Sequence, residues 1–229
     1  VFEEFAKRYD FNFKIKISKN LSAAAMVLNN SQTLVLRKTH KFSKNQLDVL
    51  TNHEIGVHMV TTFNGLLQPL KVFSNGFPNN VETQEGLAVY SEFMSGSLTI
   101  ERLKELAYRV IAVDSLHKGY QFSDTFDLLH NQYKLNRDKA FAITLRVHRG
   151  GGFTKDHLYL RGLKKVFRYA QSDKDLGILL TGKVSMDYIP TIQKLQGMGL
   201  AIPARHFTDA YRSNNNKDVN LEFILRGLK

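Results

Sequence analysis

The chain has 229 residues, of which 43% are apolar and 23% charged, and a formal net charge of +11, bounds that fit one compact domain with a sizeable core and favour acidic partners. It contains no cysteine, which excludes disulfides, thiolate metal sites and cysteine nucleophiles. No apolar run approaches the ~20 residues of a membrane-spanning helix and no secretory signal peptide is visible, so a cytoplasmic protein is expected; the start at Val1 rather than Met fits a piece of a longer chain as well as a whole one.

Phe11 to Ile17 alternates apolar and basic residues, Ala23 to Leu28 is small and apolar, and Thr33 to Arg37 is β-branched or apolar. These segments predict three strands, with a turn at Asn29-Asn30-Ser31, and a short antiparallel sheet. Ser43, with Gln46 three residues on, is a capping-box start for a helix running to Asn64-Gly65. That helix carries His53-Glu54-Ile55-Gly56-Val57-His58. Two neutral imidazoles suit zinc, and a Glu beside the first His is placed to take a proton from water on the ion. The interval is five residues, one more than in the standard zinc-protease helix. On a regular helix the two side chains would then stand about 140° apart. A π-type turn that loops out one residue is therefore predicted, with Gly56, a poor helix former, where the backbone departs from regular geometry.

A loop with Pro69, Gly76 and Pro78 leads to a second helix, Val81 to Met94, that carries Gln84-Glu85-Gly86-Leu87-Ala88. A three-ligand catalytic zinc site needs one further donor and an open position; Glu85 is the candidate donor. Glu92 lies two turns along the same face, placed to accept a hydrogen bond from a ligand imidazole. Further helices are predicted at Thr99–Lys118, Asp124–Tyr133, Arg137–His148, Lys155–Gln171 and Asp187–Gly199, and a loop at Asn214-Asn215-Asn216. The expected architecture is a single α+β domain over residues 1–229, the short sheet followed by a mostly helical body, in the element order of zincin-type proteases. Positive charge is concentrated between Arg137 and Arg168. No helix-turn-helix, zinc-finger or stacking-aromatic signature accompanies it, so nucleic acid is disfavoured as a partner.

Together the His-Glu-Ile-Gly-x-His and Gln-Glu-Gly-Leu-Ala motifs resemble the bacterial QEGLA-motif family, labelled flavohemoglobin expression-modulating, which is similar to the microtubule-associated tyrosine carboxypeptidases. The run from Arg149 to Gly162, Arg-Gly-Gly-Gly-Phe-Thr-Lys-Asp-His-Leu-Tyr-Leu-Arg-Gly, resembles that family too. The resemblance implies a zincin-like metallopeptidase with one Zn2+ on His53, His58 and Glu85 and with Glu54 as general base. It also implies a carboxypeptidase that removes a C-terminal residue, acidic or aromatic, from a peptide or protein tail. Tyr159, His157 and His148 are candidate donors to the tetrahedral oxyanion because they lie in the family-like basic segment. A free substrate carboxylate calls for an Arg fork: Arg149, beside three glycines, is the first candidate, with Lys155 and Arg146 next. The alternative is a zinc-containing regulatory or binding module without catalysis, against which the intact Glu54 argues.

Overall fold

Strand-forming residues near the N-terminus build one small sheet and helices make up most of the remainder, an α+β arrangement, in the computed structural model of this chain. It describes residues 1–21, 23–150, 154–172, 174–212, 216 and 218–228. Gly151, Gly152 and Phe153 of the family-like run, and Asn214 and Asn215 of the expected loop, lie outside the described residues. The chain divides into two units, Val1–Leu98 with Gly162–Lys229, and Thr99–Arg161.

In the first unit, helix α1 (Phe2–Arg8) precedes strands β1 (Lys14–Ser18), β2 (Ala25–Leu28) and β3 (Thr33–Arg37). The sheet is mixed rather than antiparallel, which corrects the expectation. Its order is β1-β3-β2, with β1 parallel and β2 antiparallel to β3. The turn at Asn29–Ser31 reverses the chain between β2 and β3, as a short connection must. Strands β1 and β2 also run in opposite directions, but β3 lies between them. Alternating polarity specifies which face of a strand is buried, not which strand lies beside it.

Ser43 opens helix α2 (Lys44–Leu50) with a complete capping box: its hydroxyl accepts from the Gln46 amide and the Gln46 side chain accepts from the Ser43 amide. A π-helical segment, Thr51–Met59, follows directly and passes into α3 (Val60–Leu67). Ile55, Met59 and Val60 from this continuous rod pack with Ala25, Leu34, Phe2 and Phe11 to form the core under the sheet. Two buried amides fix the far end of α3. Asn64 donates to the carbonyls of Leu180 and His206 and accepts from the Arg205 and His206 amides, and Gln68 bonds both backbone groups of Ile202.

After the short helix α4 (Val72–Asn75), helix α5 (Asn80–Met94) lies against the π segment and is buried from Glu82 to Met94. A helix buried all round belongs to an interior and puts its polar side chains under pressure to pair. The second unit packs α6 (Ile100–His117), α7 (Phe122–Asp127) with a π turn at Leu128–Gln132, and α8 (Arg137–His148) around Ala112, Val113, Leu129, Ala140, Ile143 and Val147. Thr99 and Asn136 cap α6 and α8. Helices α9 (Leu158–Ala170), α10 (Ile189–Gly197), α11 (Asp209–Arg212) and α12 (Val219–Arg226) complete the chain. No helix among the described residues is long and apolar enough to cross a membrane.

Candidate metal centre

The π segment resolves the five-residue interval. Hydrogen bonds closed five residues apart bring His53 and His58 to one side of the rod, with ring centroids 5.1 Å apart. Glu85 faces them from α5: its Oε2 lies 3.5 Å from His53 Nε2 and 3.8 Å from His58 Nε2. One ligand atom from each of the three lies within 4.8 Å of the others. Ligands about 2.0–2.1 Å from a tetrahedral ion stand about 3.3 Å apart, so Glu85 already lies near ligand spacing from both imidazoles and the three donors, all within 4.8 Å of one another, would close further around a small divalent cation. Two imidazole nitrogens and one carboxylate oxygen are also the donor chemistry that such a site uses.

Glu92, fully buried two turns along α5, places Oε1 2.7 Å from His53 Nδ1. With Nδ1 engaged there, Nε2 is turned toward Glu85 and His58. Burial alone would push His53 down. The bond to Glu92 and the neighbouring Glu85 carboxylate outweigh it and hold the imidazole up to about 9. Burial lowers His58. Glu85 goes the other way: burial would raise it, but the two imidazoles hold its carboxyl well below the usual range. Glu54, half-buried, is close enough for its charge to act on both imidazoles.

Two glycines set the depth of α5. A Cβ on Gly86 would come 2.3 Å from the Gly162 carbonyl carbon, and one on Gly162 would come 2.1 Å from the Glu82 carbonyl oxygen. The backbones of α5 and α9 therefore cross in direct contact next to Glu85. Motif reading singled out this glycine as part of a pattern; the steric reason lies in the helix crossing.

Lys183 is the residue that motif reading missed. It sits in the loop before α10, is 6% exposed, and donates from Nζ to the His58 carbonyl at 2.7 Å and to Thr61 Oγ1 at 2.9 Å. Burial pushes its ammonium down to about 7 against the opposing charges of Glu54 and Glu85. Its partners are a backbone carbonyl and a hydroxyl more than a hundred residues away, and no sequence spacing encodes such a contact.

The remaining candidates belong to the second unit. Arg146 bonds Asp156, whose carboxylate also accepts from Thr154 at 2.6 Å and lies 3.7 Å from Arg109. The Arg109 guanidinium and the Lys155 ammonium stand 5.7 and 5.8 Å from the centroid of the Tyr159 ring, which is buried. Arg149 is exposed at the C-terminal end of α8. His148 Nε2 lies 2.9 Å from Thr125 Oγ1. His157, half-buried, directly precedes α9.

The model of the microtubule-associated tyrosine carboxypeptidase family matches residues 1–229. Microtubule-associated tyrosine carboxypeptidase 1 of Rattus norvegicus is 26% identical over 216 residues, covering 86% of this chain and 44% of the relative. MATCAP2 of Homo sapiens is 26% identical over 194 residues, covering 79% of this chain and 35% of the relative. The chain thus spans less than half the length of these relatives. A family match over the whole chain, together with the convergent His53, His58 and Glu85, makes it a member of the microtubule-associated tyrosine carboxypeptidase family.

Proposed function

We propose that this chain is a zinc-dependent carboxypeptidase of zincin type, with His53, His58 and Glu85 holding one Zn2+ and Glu54 acting as general base. The observation that carries the reading is the convergence of those three donors, with Glu92 behind His53 and a carboxylate next in sequence to the first ligand. Zinc so held supplies Lewis acidity, which polarises a scissile carbonyl and acidifies water. Glu54 takes a proton from the attacking water and returns it to the leaving amine. Glu92 keeps the His53 proton on Nδ1 and so keeps Nε2 available as a donor.

Tyr159 and His157, with His148 as a third candidate, would donate to the oxyanion. Arg149 and Lys155 would hold the terminal carboxylate, with Arg146, already committed to Asp156, the weaker candidate. The net charge of +11 favours an acidic tail, and the names of the relatives point to a C-terminal tyrosine on it, in a cytoplasmic setting.

Metal content and cleavage of a mixed peptide library, compared between the native chain and Glu54→Gln, test the proposal. One zinc per chain in both, with C-terminal trimming only by the native chain, is expected. Zinc retained with no cleavage by either form would leave a binding module, and no zinc uptake at all would end the metallopeptidase reading.

A further inference from the structure

Lys183 sits in a loop stitched to the elements that carry the ligands. Its amide donates to the Phe73 carbonyl at 2.7 Å and its carbonyl accepts from the Phe77 amide at 2.9 Å. On either side, Gln84 Nε2 donates to the Gly182 carbonyl at 3.3 Å and the Met186 amide donates to Thr83 Oγ1 at 3.0 Å. Thr83, Gln84 and Glu85 are consecutive, so two residues of α5 grip the Lys183 loop while the next faces the imidazoles.

The ammonium reaches the opposite wall. The His58 carbonyl that it bonds also accepts from Thr62 Oγ1 at 2.7 Å, and Thr61 Oγ1 lies 2.7 Å from Gln84 Oε1. His58 stands near the seam where five-residue hydrogen bonding gives way to four-residue bonding. Backbone carbonyls at such a seam are displaced from the regular ladder and take side-chain or solvent donors. A buried ammonium costs several kcal/mol in lost hydration unless it is bonded, and a leucine would fill the same space without that cost.

We infer that Lys183 is a positioning residue for the metal centre: by clamping the His58 carbonyl and the Thr61 hydroxyl, it fixes the rotation of the His58 end of the π segment relative to α5. The separation of His58 Nε2 from Glu85 Oε2 is set through that clamp. The inference rests on the reading of His53, His58 and Glu85 as metal ligands.

The test is zinc affinity, by competition with a chromogenic chelator, for the native chain, Lys183→Met and Lys183→Gln. Thermal melting of the metal-free forms and visible spectra of the cobalt-loaded forms accompany it. Loss of the clamp is expected to weaken zinc binding about 10- to 100-fold in Lys183→Met and to change its cobalt spectrum, with Lys183→Gln, which keeps a donor, recovering part of the loss. Native affinity and a native cobalt spectrum in Lys183→Met, even with a lowered melting temperature, would reduce Lys183 to a packing role and overturn the inference. Should Lys183→Met fail to fold, Thr61→Val removes the other half of the clamp: several-fold weaker zinc binding supports the inference and native affinity overturns it. A native chain that takes up neither zinc nor cobalt removes the metal centre and this role together. Zinc uptake without peptide cleavage ends the peptidase reading alone.

Discussion

Gly56 and Gly86 both stand in the motifs that carry the candidate ligands, and the structure gives them opposite weight. Gly56 has no positive φ, and a Cβ there would meet Ser91 Oγ at 3.5 Å and the Thr51 carbonyl at 3.6 Å, ordinary contact distances. Its low helix propensity marks where the backbone leaves regular geometry, and it does lie in the π segment. That geometry nevertheless needs no positive φ at Gly56 and so is open to other residues. Gly56→Ala should therefore fold and gain up to about 1 kcal/mol, since alanine loses less chain entropy in a helix. Gly86→Ala should lose about 1–3 kcal/mol, because the added methyl collides with backbone rather than with a side chain that can turn away. It should also weaken zinc binding by moving Glu85. Urea unfolding of the two variants in parallel checks both, and equal losses would refute the distinction.

At the scale of elements, the second unit holds the start of α9 through Asp156. Burial would raise this carboxyl, but bonds from Arg146 and Thr154 and the charge of Arg109 hold it below the usual carboxylate range. Stability from such a group is present above its unfolded pKa, about 3.9, and disappears as pH falls through the lower folded value. Asp156→Asn should cost about 1–3 kcal/mol at neutral pH by leaving the half-buried Arg146 without its carboxylate, while Arg109 keeps Glu105. The gap in melting temperature between native and variant chains should close as pH drops below about 4; a constant gap down to pH 3 would assign the loss to packing. Legibility in the sequence also differs by element. The capping box at Ser43, α8 from Arg137 to His148, and the need for a π turn between His53 and His58 all follow from local spacing. The seven-residue spacing of Glu85 and Glu92 keeps them on one face of α5, but that this face meets the His pair was implied by the resemblance of the Gln-Glu-Gly-Leu-Ala motif and not by spacing. The parallel pairing of β1 was not legible, since neighbour choice depends on how far a loop opens rather than on residue pattern. Helix α1 went unread because its seven residues carry too few repeats to show a period, and it is held by burial of Phe2 in the shared core. Lys183 was hidden because its partners are distant backbone and hydroxyl groups.

For the whole molecule, an ion that binds only the folded chain adds its binding energy to stability. With free zinc about 1,000-fold above Kd the gain is about 4 kcal/mol, roughly 10 °C in melting temperature for a chain of this length. Stripping the metal with a chelator should lower the melting temperature by that order and zinc should restore it; no difference between loaded and stripped chains would count against a metal that belongs to the fold. The π segment has a consequence for sequence comparison. A π turn takes up about one residue more than an α turn, so the His pair meets on one side of the rod at an interval of five. That interval is one residue longer than in the four-residue zinc motif. Comparisons that forbid gaps inside helices will put His58 out of register with its counterparts, and pattern searches for the shorter interval will pass over every centre built this way.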